Sequence, residues 1–454
     1  MSFENINNIY FIGVGGIGMS ALARYFKANG KSVSGYDKVP THLTDELIGE
    51  GIDIHFEDNI SLIPSTINHQ PSATLIVYTP AVPSLHKELN YFRENGYTIK
   101  KRSEVLGDLT SQMYTIAVAG THGKTTISFM IAHIIKHAGV DCTAFLGGIA
   151  KNYNTNLLLS NSPKAKVVVE ADEYDRSFLT LNPDVAVITA MDADHLDIYG
   201  TKEEMEEAYR MFAKKLKYGG RVFAKQGLGY TEKTTTFSMT ELAKYGVKNI
   251  RMENNKCVFD LTSSVENLND LVLGLPGIHN VENAMVAVAV AQYLRLVPTK
   301  IREALASYTG VKRRFDYQVQ TEKITYIDDY AHHPEELKAC IGSVRKLYPD
   351  KKITGIFQPH LYTRTRDFAD GFAESLSMLD ELILMDIYPA RELPIEGVNS
   401  KMILDKVTIN NKKLCSKEEV LNEVRQNNME VLLTVGAGDI DQLVEPIKNI
   451  LLDK

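Results

Sequence analysis

The segment that most limits what this chain can fold into is AGTHGKTT, residues 119–126. An apolar run, TIAVAG, leads into it and a helical pattern, SFMIAHIIKHAG, leads out, so strand, glycine turn and helix coincide. In that setting the backbone N–H groups of the turn and the helix N-terminus cradle phosphates. Lys124, expected on an exposed loop, neutralises them, and Thr125 reaches Mg²⁺. The match to G-x-x-x-x-G-K-[ST] is incomplete, because Val118 stands where its first glycine would be. The runs KVVVEAD and DVAVITA follow as further strands, which places the loop in a parallel α/β layer.

Two more alternations flank this one. Residues 9–37 read as strand, glycine turn, helix (MSALARYFKANG) and second strand (SVSGYD), half of a doubly wound nucleotide-binding unit, and TLIVYTPAV and TIKKRSEVL continue it. Gly13, Gly15 and Gly18, with Gly16 between them, form a G-x-G-x-x-G turn, and Asp37 ends the next strand where a ribose-binding acid would sit. Alone, this favours NAD. The same glycines admit any other nucleotide diphosphate, since only the pyrophosphate and its close backbone approach require them. After about residue 311, ITYIDDY, ITGIFQP, ELILMDIYP and EVLLTVGAG read as strands, with amphipathic helices between them. Residues 220–275 mix short β-rich runs with turns, expected as a small β insertion or edge sheet on the second domain. The expected fold is therefore α/β in three domains: a Rossmann-like domain over 1–107, a P-loop domain over 108–311, and a Rossmann-like domain over 312–454.

Composition removes several classes of function. A chain of 454 residues suits two to four domains at roughly 100 to 200 residues each. Its net charge of −7 argues against a sequence-independent grip on nucleic acid. Cys142, Cys257, Cys340 and Cys415 are far apart and form no CxxC pair, so neither a zinc site nor a disulfide framework is expected. The first apolar run is broken by glycines and lacks a basic leader, so a cytoplasmic protein without membrane insertion is expected.

Acidic and basic groups gather where α/β proteins bind ligands. VVVEADEYDRSF sets Glu170, Asp172, Glu173 and Asp175 just past a buried strand, with Glu170 at its end the best placed to offer Mg²⁺ a hard oxygen. MDADHLD repeats the arrangement with Asp192, Asp194, His195 and Asp197. GIHNVENA carries His279, Asn280 and Asn283, whose carboxamides suit a purine edge. KRRFDY carries Arg313 and Arg314, and DDYAHHP carries Asp328, Asp329, Tyr330, His332 and His333. In FQPHLYTRTRD, His360 precedes Arg364 and Arg366, and a guanidinium fork matches a substrate carboxylate. A solvated loop, a cap or a structural salt bridge is the competing reading for each of these.

In this order, GTHGKTT, EADEYD, DADHLD, HNVENA, RRFD and DDYAHHP resemble the Mur ligases over essentially the whole chain. GVGGIGMSALA, FQPHLYTRTRDF and YPARELPIEGV are similar to the branch that adds L-alanine to UDP-N-acetylmuramic acid. The branch that recycles a wall tripeptide shares the ATP motifs. The resemblance implies a UDP-sugar domain, a central ATPase domain and a C-terminal domain for the amino acid, in a cytoplasmic enzyme of cell-wall synthesis. It implies that Gly13, Gly15, Gly16, Gly18 and Asp37 face a uridine diphosphate. Gly120, Thr121, His122, Gly123, Lys124, Thr125 and Thr126 would hold the ATP phosphates, with Thr125, Glu170 and His195 on Mg²⁺. Lys124, Glu170 and His195 would then be the catalytic set. His279, Asn280, Asn283, Arg314 and Asp329 would hold the nucleotide, and Tyr330, His332, His360 and Arg364 would frame L-alanine. Two positions depart from the pattern: Tyr174 stands where many alanine ligases have Ser, as in the recycling branch, and Leu361 where relatives often carry Arg.

The implied reaction converts a carboxylate, a poor acyl donor, into an acyl phosphate that the alanine amine attacks. Two other classes compete. An NAD-dependent dehydrogenase accounts for the N-terminal glycines but not for GTHGKTT. A P-loop switch or binding protein accounts for GKTT but not for the His- and Arg-rich third domain.

Overall fold

The computed structural model describes residues 3–192, 196–230, 234–254, 256–390 and 392–454. Among these the strands form three sheets. The first is wholly parallel and runs in space Asp53–His55, Ser32–Tyr36, Asn8–Ile12, Thr74–Tyr78, Thr98–Lys101. Asn8–Ile12 is buried along its length because the sheet is covered on both faces, which is why Ile9–Ile12 reads as an apolar run. The expected strand TIKKRSEVL ends at Lys101, and a helix, Arg102–Ser111, begins at the next residue. Glu104 fixes that start by accepting a hydrogen bond from the Lys101 N–H at 2.7 Å.

The second sheet has ten strands, with Val185–Ile188, Thr115–Ala119 and Lys166–Glu170 adjacent and parallel near its middle. The β-rich stretch after residue 220 does not make a sheet of its own. Arg221–Lys225, Thr234–Phe237 and Tyr245–Glu253 extend this sheet in parallel, and Lys256–Ser263 and Leu268–Leu273 close its edge antiparallel. Helix Lys124–His137 packs on the sheet with nearly every side chain buried. One apolar core runs from Ile9 and Phe11 of the first sheet to Ala117 and Val169 of the second.

The third sheet is ordered Asp316–Gln320, Thr325–Asp329, Val431–Val435, Ile353–Phe357, Glu381–Leu384, Lys412–Leu414 and is parallel except for its first pair. Its two faces carry separate cores, one around Phe357 and Phe372 and the other around Tyr326 and Ile447. The chain divides into two compact units. The first comprises residues 1–276 and 281–309 with the first two sheets, and the second comprises 277–280 and 310–454 with the third. No helix among the described residues is long and apolar enough to cross a membrane.

Candidate active site

In the first unit, strand Thr115–Ala119 delivers the chain to a loop that two glycines make possible. Gly120 and Gly123 have φ of 127° and 80°, in the left-handed range that other residues rarely adopt. Space enforces the same choice, since a Cβ on Gly120 would lie 2.1 Å from Thr189 Oγ1 and one on Gly123 would lie 2.8 Å from Asn283 Oδ1. Thr189 closes the turn by donating to the His122 carbonyl at 2.5 Å, and Thr121 Oγ1 accepts from the Asp192 N–H at 3.3 Å. His122 stands 3.1 Å from Asp192, and that hydrogen bond holds the Asp192 carboxyl below its usual value. Gly120, Thr121, His122, Gly123, Lys124, Thr125, Thr126 and Asn283 thus belong to one loop and its backing.

Lys124 is not on an exposed loop. Its ammonium donates to the Gly120 carbonyl at 2.8 Å and to Glu173 Oε1 at 2.7 Å, with side-chain exposures of 15% and 2% for the pair. Burial works against the Lys124 charge, but Glu173 and Glu170 outweigh it and hold the group above its ordinary value. Burial also pushes Glu173 up, against the pull of Lys124. Among the described residues Glu173 Oε2 has no hydrogen-bond partner, while the Glu173 carbonyl accepts from Tyr199 at 2.6 Å. Glu173 is therefore the acid that faces the loop lysine, a role its place in a four-acid run could not single out. Glu170, at the end of its strand as expected, accepts from Thr125 Oγ1 at 3.0 and 2.9 Å. His195 lies outside the described residues.

Thr125 and Glu170 present hard oxygens at one point, which is the donor chemistry Mg²⁺ needs. Among the described residues, Thr125 and Glu170 are the expected metal-site groups that meet, and Mg²⁺ completes such a set with waters and substrate phosphate oxygens.

The glycine turn of the first sheet also needs its glycines. Gly13 has φ of 90°, and a Cβ on Gly15 would lie 2.9 Å from Asp37 Oδ2. Asp37 accepts from the Gly15 N–H at 2.7 Å, so its carboxylate braces the turn itself. Gly16 caps the helix Ile17–Ala28. Arg102, which belongs to none of the motifs, lies across Gly18 and reaches Asp172 Oδ2 at 3.3 Å. Beside it, Lys101 pairs with Asp175 at 2.7 Å.

In the second unit the polar groups collect at the ends of strands Thr325–Asp329 and Ile353–Phe357. Asp329 accepts from the Phe315 N–H at 2.6 Å and the Ala331 N–H at 2.8 Å, and burial pushes its carboxyl up to about 6 although Arg314 opposes the shift. The Arg314 guanidinium lies 5.0 Å from the centre of the Tyr330 ring. Arg313 lies 5.2 Å from the centre of the same ring and also pairs with fully buried Asp328 at 3.2 Å. The Tyr330 and His332 rings lie 5.3 Å apart, those of His332 and His360 5.9 Å apart, and Arg364 Nη1 is 3.4 Å from His360 Nδ1. Burial holds His332 below its ordinary value, a shift that Arg364 reinforces and Glu336 resists. The four residues expected around the amino acid therefore form one cluster. Leu361 is 6% exposed with φ of 70°, so at the departing position the side chain turns into the core. His279 lies within hydrogen-bond reach of Ser343 Oγ at 2.9 Å, with its ring held neutral by burial, down to about 4. Asn280 is 2% exposed.

Three models of one family match the chain in succession: "Mur ligase family, catalytic domain" over residues 8–114, "Mur ligase middle domain" over 118–291, and "Mur ligase, glutamate ligase domain" over 313–440. UDP-N-acetylmuramate–L-alanine ligase of Flavobacterium johnsoniae is 52% identical, covering 99% of each chain. The enzyme of the same name from Flavobacterium psychrophilum is also 52% identical and covers 100% of both. The crystal structure of UDP-N-acetylmuramate-alanine ligase from Thermotoga maritima superposes with a TM-score of 0.82 at 28% identity, covering 98% of this chain and 99% of that one.

Proposed function

The chain belongs to the Mur ligase family, and on that premise we propose that it joins L-alanine to the lactyl carboxylate of UDP-N-acetylmuramic acid at the expense of ATP. The observation that carries this reading is full-length identity of 52% to relatives named for that reaction, on a chain whose phosphate loop and third-sheet His–Arg cluster are both in place. The same identity favours alanine ligation over tripeptide recycling. A dehydrogenase would leave Lys124 and its loop without a task.

The turn N–H groups and Lys124 hold the ATP phosphates, and Lys124 offsets the charge that builds as the γ-phosphoryl group moves to the acceptor carboxylate. Phosphates compete with Glu173 for the Lys124 ammonium. Thr125 and Glu170, with His195, hold Mg²⁺, which when bound supplies further positive charge at the phosphates. Asn283 backs the loop at Gly123, while His279, Asn280, Arg314 and Asp329 serve the nucleotide. Arg364 takes the alanine carboxylate in a charge-assisted fork, with Tyr330, His332 and His360 around it. The domain limits near residues 107 and 311 and the cytoplasmic location belong to the same reading. Phosphate release measured with ATP and Mg²⁺, with and without UDP-N-acetylmuramic acid and L-alanine, tests it. Release that requires both substrates is the expected result, and release indifferent to either one defeats it.

A further inference from the structure

We propose that Asn156 is a positioning residue for the ligation: it fixes the glycine turn of the first sheet against the central sheet, and so sets the approach of the acceptor carboxylate to the γ-phosphate of ATP. The inference rests on the ligase reading above and adds to it a residue that, at 0% exposure, neither substrate reaches. Asn156 lies in Thr155–Leu158, the second strand of a hairpin whose first strand is Cys142–Ala150. The hairpin forms one edge of the central sheet. Its side chain, however, serves the other sheet's helix. The amide donates to the Ile17 carbonyl at 2.6 Å and to Ser20 Oγ at 2.8 Å, and the oxygen accepts from Arg24 Nη1 at 2.6 Å. All three partners belong to helix Ile17–Ala28, which starts directly after the glycine turn at Gly16.

Apolar packing at this junction, where the Tyr25 and Phe145 rings lie 5.3 Å apart and Leu22 and Leu157 share one core, resists separation but is non-directional and permits sliding. Three directional hydrogen bonds from one buried carboxamide remove that freedom. They are not needed by the helix itself. Ser20 Oγ donates to the Ile17 carbonyl at 3.0 Å without help, and Arg24 keeps Glu46 and Glu50 at 2.9 and 2.6 Å. What Asn156 contributes is the link. The same hairpin also meets the phosphate site, because its first strand pairs with Lys166–Glu170 and a Cβ on Gly147 would lie 2.0 Å from Glu170 Oε2. Glu170 in turn holds Thr125 of the phosphate loop. One hairpin thus touches the acid beside the ATP phosphates through Gly147 and the helix of the glycine turn through Asn156. Phosphoryl transfer needs its reacting atoms in line and about 3–3.5 Å apart, and a misplacement of about 1 Å costs on the order of 10²-fold in rate. Neither domain sets that spacing alone.

The test uses the whole enzyme with Asn156→Ala and with Asn156→Asp, which keeps an acceptor for Arg24 and loses both donors. UDP-N-acetylmuramic acid and ATP, each added alone and followed by calorimetry, are expected to bind within about 3-fold of wild type, because each is held by one domain. The kcat is expected to fall by about 10- to 100-fold. A misaligned acyl phosphate is open to water, which adds to it, returns the carboxylate and releases phosphate with no amide formed. Phosphate released per amide should therefore rise above the one-to-one ratio of the wild type. Ser20→Ala, which removes one acceptor and leaves the helix intact, gives the same split in smaller measure and serves if the Asn156 variants do not fold. Binding of both ligands that weakens in step with kcat and with a lower unfolding midpoint assigns Asn156 to the fold and overturns the proposal. Unchanged kcat with one-to-one coupling overturns it too. Wild-type enzyme whose phosphate release ignores the acceptor or L-alanine defeats the ligase reading itself, whereas a coupled wild type with unaffected variants defeats the Asn156 assignment alone.

Discussion

Replacing Lys124 is expected to cost stability as well as activity. A lysine exposed on a loop could be changed with little effect on the fold, but this ammonium is 15% exposed and its partner Glu173 2%. Lys124→Met leaves a buried carboxylate with no cation against it, and breaking a buried pair from one side costs about 3–5 kcal/mol. Protonation limits that cost. A carboxyl with an ordinary value of 4.5 can be neutralised at pH 7 for about 3 kcal/mol, at about 1.4 kcal/mol per pH unit. The destabilisation should therefore be about 3 kcal/mol at pH 7 and less than about 1 kcal/mol at pH 5. Lys124→Met/Glu173→Gln removes both charges and should recover most of the stability, while turnover stays at least about 10²-fold down for want of the cation. Urea unfolding followed by circular dichroism at the two pH values measures the first effect, and phosphate release the second. A loss of equal size at pH 5 and pH 7, or a double variant no more stable than the single one, would refute the buried-pair argument.

Glu170→Ala should raise the Mg²⁺ concentration needed for half-maximal turnover without lowering the unfolding midpoint, because it removes an oxygen ligand and no core. A magnesium titration superimposable on wild type would return Glu170 to the role of a solvated acid. Arg364→Ala should weaken L-alanine by about 10- to 100-fold, the worth of a charge-assisted hydrogen bond, and leave ATP and the UDP-sugar alone. Equal losses for all three substrates would instead mean that Arg364 maintains the domain. Glu88 accepts from Tyr10 at 2.6 Å and from the Asn59 N–H at 3.0 Å, yet burial pushes its carboxyl from 4.5 up to about 7. The folded carboxyl holds its proton more tightly than the unfolded one, so its stability is complete below pH 4.5 and is lost as pH rises to about 7. That loss amounts to about 3 kcal/mol at most. His55 and His86, held neutral by burial, act with the opposite sign and lose stability as pH falls below 6.5. Glu88→Gln should therefore gain on wild type between pH 4.5 and 7, and unfolding profiles that run parallel over that window would exclude Glu88 as the titrating group.

What the sequence determined by itself is whatever a few consecutive residues can specify. AGTHGKTT states its loop because the glycines, the lysine and the helix start are neighbours in the chain, and the positive φ of Gly120 and Gly123 is a local demand. The G-x-G-x-x-G turn and the strand end at Glu170 were legible for the same reason, as were the polar runs at Asp329 and His360. Which of four clustered acids turns inward was not legible. Glu173 meets Lys124 in a loop that continues through left-handed Asp175 and Arg176 and that Lys101 and Arg102 pair with from the end of the first sheet. The stretch after residue 220 was plainly β-rich, but whether it joined the central sheet depended on hydrogen bonds to a strand distant in sequence. The burial that sets the Lys124–Glu173 pair and Glu88 apart from ordinary surface charges likewise comes from packing. Backbone conformation follows from neighbours along the chain, but the partner and dielectric surroundings of a charged side chain come from segments far away and exist once the chain has folded.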